Sequence, residues 1–304
     1  MRRIIYILCC SFLLIGANAH AEGFKSDGMG MPKDSVKQDS STDDDLNRQF
    51  AFGVEYASDQ AHYGLHNNIK IPYVEPNFTY TAPKGFYMTI SDQYVLPQKI
   101  VGFDAFCLNP GWDIDFGDNT TLNFNYTRYI FNPNSSNLVK STLGNSLETY
   151  IEQWIGNLRG KFTIDYDIYR QNGKRTNSPN DFAFTPDLYY KFKWKLGEKS
   201  SIKIKPEASI DLGTRNFYTQ YLSAKAADST AKGLKPKTAP VKSDANSSFG
   251  TLDYNLMLNI DLAIGKFDFE PGFTYTDPLY KPSNIPNPPT GYFTFSITYT
   301  ISTK

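Results

Sequence analysis

The end of the chain, "GYFTFSITYTISTK" (residues 291–304), decides the fold, because two kinds of side chain alternate along it without interruption. The apolar positions are Phe293, Phe295, Ile297, Tyr299 and Ile301, and the hydroxyl positions between them are Thr294, Ser296, Thr298 and Thr300. A period of two places successive side chains on opposite faces of a β-strand. The stretch is therefore predicted to be a strand that separates an apolar medium from a polar one.

Similar stretches recur from Phe50 onward, and none of them has helical spacing. The twelve predicted strands cover residues 50–57, 71–81, 86–96, 100–116, 120–131, 146–155, 161–170, 182–196, 201–217, 250–264, 266–276 and 292–302. The fourth stretch also allows two strands bent at "NPG" (residues 109–111). A content of 21 Tyr and 22 Phe agrees with a β protein.

The connections between these strands alternate in length. Those after strands two, four, six, eight and ten are the short turns "APKG", "GDN", "GNLRG", "GEKS" and "GK", whereas most of the others are long and polar. The connection near "PQK" (residues 97–99) is short where a long one is expected. Short turns at one end and long loops at the other are typical of barrels that cross a membrane.

Strand length supports the same interpretation. The stretch "TLDYNLMLNIDLAI" (residues 251–264) alternates cleanly over its whole length. Strands of soluble proteins usually have about five or six residues. A longer strand suits a tilted crossing of the hydrocarbon layer. A soluble barrel or sandwich would show the same period of two, so the alternation alone does not say which face is inside.

The N-terminus, "MRRIIYILCCSFLLIGANAHAEG" (residues 1–23), predicts export. Arg2 and Arg3 precede an apolar run over residues 4–15, and Ala19 and Ala21 form an A-x-A-like site, so residues 1–21 are predicted to be a signal peptide. The alternative, a retained membrane helix, is disfavoured because the run is shorter than the roughly 18–20 residues that span a bilayer.

The segment that follows the signal, residues 22–49, is polar and contains three consecutive aspartates at 43–45. It is predicted to be a disordered leader, with a plug or periplasmic docking segment as the alternative.

The chain has 31 basic and 31 acidic residues, and the signal removes only two arginines, so no nucleic-acid partner is predicted. Cys107 then remains as a single cysteine, which cannot form an internal disulfide.

Together, the export signal, the even strand count, the alternating loops and the long strands favour a barrel in lipid. Over about residues 50–304 the chain resembles the outer-membrane β-barrel proteins of Gram-negative bacteria. The resemblance implies an all-β fold, namely a transmembrane antiparallel up-and-down β-barrel of about twelve strands, located in the outer membrane. We expect the barrel to be monomeric. Both chain ends are then expected in the periplasm, and the apolar face of residues 293–301 is expected to contact outer-membrane lipid.

In this family the last strand resembles the signal that is read by the barrel assembly machinery, which would be a partner during biogenesis. That signal would fall here on Tyr292, Phe293, Phe295, Ile297, Tyr299 and Ile301. The chain departs from the family pattern at its end, because the family usually closes on Phe or Tyr and this sequence continues through residues 302–304.

Charged side chains share the polar face of several strands, and five lysines gather in the hairpin around "GEKS". The candidates for lining the lumen are Lys191, Lys193, Lys195, Lys203 and Lys205, faced by Asp165, Asp167, Asp261, Asp268 and Glu270. In one hypothesis the lysine stripe and the acidic wall select small hydrophilic solutes, with anions as candidates. In the other the same residues form ion pairs and fill a narrow barrel. Twelve strands are compatible with either.

Catalytic motifs give little support to an enzyme. The sequence contains no Gly-rich phosphate loop, CxxC pair, HExxH or GxSxG. His62 and His66, near Asp59, are weak candidates for a metal or an acid/base site in the first long loop. We therefore expect a passive pore without a cofactor. The alternatives are a closed barrel that binds partners through long loops such as residues 218–249, and a barrel enzyme.

Four prolines interrupt the predicted strands, namely Pro76, Pro186, Pro206 and Pro271. Proline has no N–H to donate to a strand ladder, so these positions predict β-bulges that bend the wall.

Overall fold

The structure is a computed structural model and describes residues 48–66, 70–96, 102–132, 143–171, 174–175, 180–218, 249–280 and 287–303. The strands are β1 (Arg48–Ala57), β2 (Ala61–His62), β3 (Leu65–His66), β4 (Tyr73–Thr81), β5 (Phe86–Val95), β6 (Gly102–Phe116), β7 (Thr120–Phe131), β8 (Leu143–Ile155), β9 (Leu158–Gln171), β10 (Lys174–Arg175), β11 (Asp181–Tyr190), β12 (Phe192–Gly197), β13 (Ser200–Gly213), β14 (Gly250–Ile264), β15 (Phe267–Pro278) and β16 (Thr290–Thr303).

These strands form a closed antiparallel barrel. β1 pairs with both β4 and β16, and β8 pairs with β9, so the sheet has no open edge. β11 and β12 both pair with β13 and together make one strand of the wall, which gives a barrel of 12 strands. β2 and β3 form a separate hairpin, and β10 pairs antiparallel with the end of β9. The predicted fold class is confirmed.

The predicted strands agree closely with the observed ones, and β7 and β14 match at both ends. β6 runs without a break through residues 109–111, so the two-strand alternative at "NPG" is wrong. β1 begins at Arg48, inside the predicted leader, and β9 begins at Leu158, inside the predicted turn "GNLRG". The remainder of the leader and the predicted signal peptide, residues 1–47, lie outside the described residues, as does most of the "PQK" connection.

Both ends of the described chain, Arg48 and Thr303, lie at the short-turn end of the barrel. Arg48 is opposite Thr303, and the neighbouring Gln49 is opposite Thr81, which directly precedes the β4–β5 turn. Three turns at this end use glycine at φ between 60° and 67°, namely Gly117, Gly156 and Gly265. Glycine adopts this left-handed backbone without the steric penalty that a Cβ imposes. The predicted separation of short turns and long loops therefore holds at this end.

Helical backbone in the described ranges consists of the 3₁₀ turn Pro83–Gly85 and one turn at residues 216–218, where the sequence predicted strand. None of the helical segments that the structure describes has the length and apolar character needed to span a membrane.

The apolar face of the strands points outward and the polar face points into the barrel, as predicted. Phe293 is 62% exposed on the outside of the closed barrel, whereas Ser296 is 6% exposed. On β14, Leu256 and Leu258 point outward and Asp261 is buried. The same outward apolar surface continues around the barrel at Phe52, Val54, Trp112, Phe124, Ile151, Leu188, Trp194, Leu196, Phe267 and Phe295. Such a surface is stable only against lipid, so the polar faces enclose the lumen.

The four strand prolines do not form the predicted bulges. On one side, each proline lies opposite a residue of the neighbouring strand in unbroken register. The pairs are Pro76 with Val54, Pro186 with Phe162, Pro206 with Leu258 and Pro271 with Phe295. On its other side the ladder skips the proline and resumes in the same register. The missing N–H is thus accommodated by a short gap in the ladder. One such gap, opposite Pro206, separates β11 from β12 at Lys191.

Candidate functional site in the barrel lumen

A cavity of about 470 Å³ occupies the lumen and is lined by the inward faces of the strands and by the start of the β1–β4 connection. Its charged lining residues are Glu55, Asp59, Glu75, Lys161, Asp187, Glu207, Asp211, Asp253 and Glu270. Eight of these are carboxylates and one is a lysine, so the lining is acidic. A volume of this size accommodates a small molecule.

An inner charge layer, defined by Arg159, Glu152, Asp187 and Glu207, lies toward the short-turn end. Arg159 is 1% exposed, and its Nη2 lies 3.1 Å from Oδ1 of Asp187 and 3.5 Å from Oε1 of Glu207. Its Nη1 lies 3.6 Å from Oε2 of Glu152, and the guanidinium stacks 3.9 Å from the ring centroid of Tyr189. The layer joins four neighbouring strands, β8, β9, β11 and β13, and narrows this part of the lumen.

Two of the predicted lysines form ion pairs with the acids that were predicted to face them. Lys205 Nζ lies 3.1 Å from Oδ1 of Asp261 and 3.2 Å from Oε1 of Glu270. Lys203 Nζ lies 3.4 Å from Oδ2 of Asp261. These contacts are the ones expected from the hypothesis in which lumen charges pair with one another.

The other three lysines do not join them in one stripe. Lys193 and Lys195 are exposed at the short-turn end, where β12 extends beyond the buried part of the wall. Lys191 is half-buried, with its Nζ 4.3 Å from the ring centroid of Trp154. Asp268 is half-buried near the same end, opposite Ala263. Lys193 and Lys195 therefore lie past the lumen, so the five lysines of the predicted stripe do not all line it.

Asp165 and Asp167 also lie away from the lysines of the stripe. Asp165 is directly opposite Glu148 of β8, and Asp167 is opposite Asp181 of β11. Asp167 is buried and accepts a hydrogen bond from the Tyr63 hydroxyl at 3.2 Å. These two aspartates therefore belong to the part of the lumen near the long loops.

An outer hairpin, defined as residues 61–66, folds into the mouth at the long-loop end. Its turn residues Tyr63 and Gly64 have φ values of 48° and 73°. A Cβ added to Gly64 would lie 2.8 Å from the Asp253 side chain, so the tip presses against the wall. Burial, followed by the negative charge of Asp167, raises the pKa of Tyr63 above its ordinary value. The hydroxyl therefore stays protonated and able to donate its hydrogen bond.

A hydrophobic cluster holds the outer hairpin in place. Its buried members are Leu65, Tyr129, Leu143, Tyr169, Phe217, Tyr218 and Leu252. The Tyr218 hydroxyl donates to the carbonyl of Tyr280 at 3.1 Å and accepts from the side-chain amide of Asn287 at 3.1 Å. Segments from three connections thus meet over the cavity.

The two histidines of the first long loop, His62 and His66, are part of the outer hairpin. His62 is buried, its Nε2 lies 3.4 Å from Oδ2 of Asp167, and its ring packs on Tyr63 and Phe217. His66 is paired with Ala61 through the backbone. Within the part of the chain that the structure describes, no group of three or more His, Cys, Asp or Glu side chains has the arrangement of a metal site.

Arg159, a buried cation of the lumen, was missed by the sequence reasoning because "GNLRG" was assigned to a turn. A signal was present: Arg159 has the same parity as Lys161, Thr163 and Asp165, all on the polar face of β9. Extending that alternation toward the turn would have found it.

Replacing Lys205 by alanine is expected to destabilise the barrel by about 3 kcal/mol, because Asp261 and Glu270 lose a buried cation. The measurement is urea unfolding of the refolded protein in detergent micelles. Lys193→Ala, on the exposed part of β12, is the matched control and should change the free energy of unfolding by less than about 0.5 kcal/mol. Equal effects of the two substitutions would contradict the ion-pair assignment.

Comparisons with known proteins give likeness of shape alone. No family model matches the chain, and a comparison with curated proteins found no match. Among solved structures, LpxR from Salmonella typhimurium is 8% identical with a TM-score of 0.47, covering 82% of this chain and 99% of its own. The NanC porin is 10% identical with a TM-score of 0.44, covering 82% and 98%. At these values the likenesses say nothing about function.

The class of protein follows from the molecule's own architecture. A closed barrel of 12 antiparallel strands with an apolar exterior and a polar interior presents no open sheet edge to lipid. These features define a transmembrane β-barrel of the outer-membrane type.

Proposed function

We propose that the protein is a narrow passive channel of the outer membrane that conducts small hydrophilic solutes and prefers cations. The observation that carries the proposal is the lining of the lumen cavity, which has eight carboxylates and one lysine. Asp187, Glu207 and Glu270 are paired with Arg159 or Lys205, and the other five acids, Glu55, Asp59, Glu75, Asp211 and Asp253, outnumber Lys161. Carboxylates confined within a low-dielectric wall produce a negative potential that concentrates cations and excludes anions.

The proposed channel prefers cations, whereas the lysines in the sequence suggested a preference for anions. Lys203 and Lys205 are neutralised by Asp261 and Glu270, so they contribute little positive potential to the cavity. The remaining lysine of the lining, Lys161, lies over the ring of Tyr150 and close to carboxylates. The net field of the lumen is therefore set by the acids.

Transport through this lumen needs only the gradient of the solute. The outer hairpin and the inner charge layer narrow the two ends of the cavity, so conduction is slow and limited to small solutes. We propose no chemical step and no cofactor, and we interpret His62 as a packing residue of the outer hairpin. Export by a cleaved signal peptide, insertion by the barrel assembly machinery and a monomeric state remain part of the proposal.

Current recorded across a planar bilayer tests the proposal. With a tenfold KCl gradient, the refolded protein should give steady single-channel steps and a reversal potential of the sign expected for K⁺ preference. Glu75→Gln removes one carboxylate of the lining and should shift the reversal potential toward zero. Glu198→Gln, an equal charge change at the exposed β12–β13 turn, should leave it unchanged.

A folded barrel that passes no current, or one that prefers chloride, would overturn this proposal. The first result would favour the second candidate, a closed barrel that acts through its long loops. That candidate is supported by the outer hairpin and the inner charge layer, which both occupy the lumen. It predicts that replacing residues 222–246, which lie outside the described residues, abolishes binding of a surface partner.

A further inference from the structure

Asp59, beneath the outer hairpin, has an incomplete set of hydrogen bonds. It is 1% exposed and lines the lumen cavity. Its Oδ1 accepts the backbone N–H of Ile71 at 3.3 Å, whereas its Oδ2 has no hydrogen-bond partner among the described residues. A buried carboxylate oxygen without a donor is costly, so such an atom on a residue that lines a cavity indicates a site for a ligand that supplies the donor.

The neighbours of Asp59 in the cavity are carboxylates and tyrosines. The Tyr73 hydroxyl donates to Oε1 of Glu55 at 3.3 Å. Tyr292 lies within electrostatic range of Asp253, Glu55 and Asp59, and Tyr73 lies within range of Glu55 and Tyr292. We name this group, Glu55, Asp59, Tyr73, Asp253 and Tyr292, the outer acidic pocket.

Asp253 is a second buried acid of this pocket. It is 1% exposed, and its Oδ1 accepts from the side-chain amide of Asn255 at 3.0 Å. Its Oδ2 lies under Gly64 of the outer hairpin, and its side chain is within hydrogen-bonding reach of Asp211, directly opposite on β13. Asp59, just after β1, is therefore the carboxylate of this pocket with an oxygen left without a donor, and Asp253 adds charge beside it.

The described part of the cavity lining brings no cation into this pocket to balance these charges. The lysine of the cavity lining, Lys161, instead has Tyr150, Glu148 and Asp165 as its neighbours. A ligand that enters the outer acidic pocket therefore meets a negative potential with little competition from protein cations.

We propose that the outer acidic pocket binds small organic cations that carry an ammonium or guanidinium group, an inference that rests on the proposed cation-preferring channel. An ammonium presents three N–H donors and a guanidinium five, which can satisfy several carboxylate oxygens together. The rings of Tyr73 and Tyr292 add cation–π attraction, which a hard metal ion uses poorly. The described residues also lack the ligand grouping of a metal site.

The outer hairpin encloses the pocket. Ala61, Tyr63 and Gly64 line the same cavity, and Gly64 is packed against Asp253. Exclusion of water beneath the hairpin strengthens the attraction between the bound cation and the carboxylates. The pocket is thus positioned to hold a cation that has entered from the long-loop side, before it reaches the inner charge layer.

Calorimetric titration of the folded barrel in detergent micelles tests this proposal without needing a current. The probes are butylammonium chloride, guanidinium chloride, 1-butanol, sodium butyrate and calcium chloride. Butylammonium is expected to bind at least tenfold more tightly than 1-butanol, and butyrate should not bind. Asp59→Asn should weaken butylammonium binding at least tenfold, whereas Asp115→Asn, an exposed carboxylate near the β6–β7 turn, should change it less than twofold.

Three results would overturn the inference. They are equal binding of butylammonium and 1-butanol, tighter binding of Ca²⁺ than of either organic cation, and unchanged binding by Asp59→Asn. If Asp59→Asn does not fold, Asp253→Asn is the second variant and should show the same loss. A barrel that conducts K⁺ but binds no amine would refute the pocket alone, whereas an electrically silent barrel that binds amines would refute only the channel.

Discussion

Arg159→Ala is expected to lower the free energy of unfolding of the barrel by about 3–5 kcal/mol, the cost of breaking a buried ion pair by removing one partner. Arg159 is the shared partner of Glu152, Asp187 and Glu207. Without it, three carboxylates remain in a confined part of the lumen, and Lys161, opposite Glu152 and Asp187, is left as the cation beside them. Urea unfolding in detergent micelles measures the loss, and heat-dependent mobility in gels reports whether the barrel still forms.

Two variants separate loss of charge from loss of a side chain. Arg48→Ala, at the exposed start of β1, removes the same side chain outside the layer and should cost less than about 0.5 kcal/mol. The double variant Arg159→Ala with Asp187→Asn should recover part of the loss, because one unpaired carboxylate is removed with the guanidinium. Equal stabilities of the wild type and Arg159→Ala would show that the layer does not hold the barrel together.

Replacing the outer hairpin, residues 61–66, with a Gly-Ser linker of the same length is expected to raise single-channel conductance several-fold. The hairpin fills the mouth at the long-loop end, and its Leu65 is buried in the hydrophobic cluster that seals it. The replacement removes this constriction and leaves the 12 wall strands intact. Planar-bilayer recording measures the change.

Tyr63→Phe is the control for the hairpin. It removes the donor to Asp167 and keeps the ring that packs on His62 and Phe217, so the hairpin should remain in place and conductance should change much less. If the linker variant folds and conducts no better than the wild type, the outer hairpin is not the constriction. The narrowest point would then have to be the inner charge layer.

The sequence alone determined the wall of this protein. Alternation with a period of two is a local property, so residues 293–301 and 251–264 specified which side chains share a face without reference to any other strand. The export signal, the long strands and the alternating loops then indicated that the apolar face meets lipid. The lengths of the turns and loops then determined the up-and-down order, and closure followed because lipid does not tolerate an open sheet edge. The prediction of bulges at the strand prolines was wrong. Alternation placed these prolines on the apolar face, but it could not distinguish a bulge from a gap in the ladder.

Only the tertiary structure determined the interior. By alternation, one strand face carries all five lysines, namely Lys191, Lys193, Lys195, Lys203 and Lys205. In the barrel, however, Lys193 and Lys195 are exposed at its edge, and Lys203 and Lys205 form ion pairs with acids. The sign of the cavity's charge, the partners of Arg159 and the entry of the outer hairpin likewise come from contacts between distant residues. An alternation with a period of two specifies the strand face on which a side chain lies. Its partners across the lumen depend instead on strand register, strand tilt and the direction in which a loop folds. Register, tilt and loop direction are fixed only when the barrel closes.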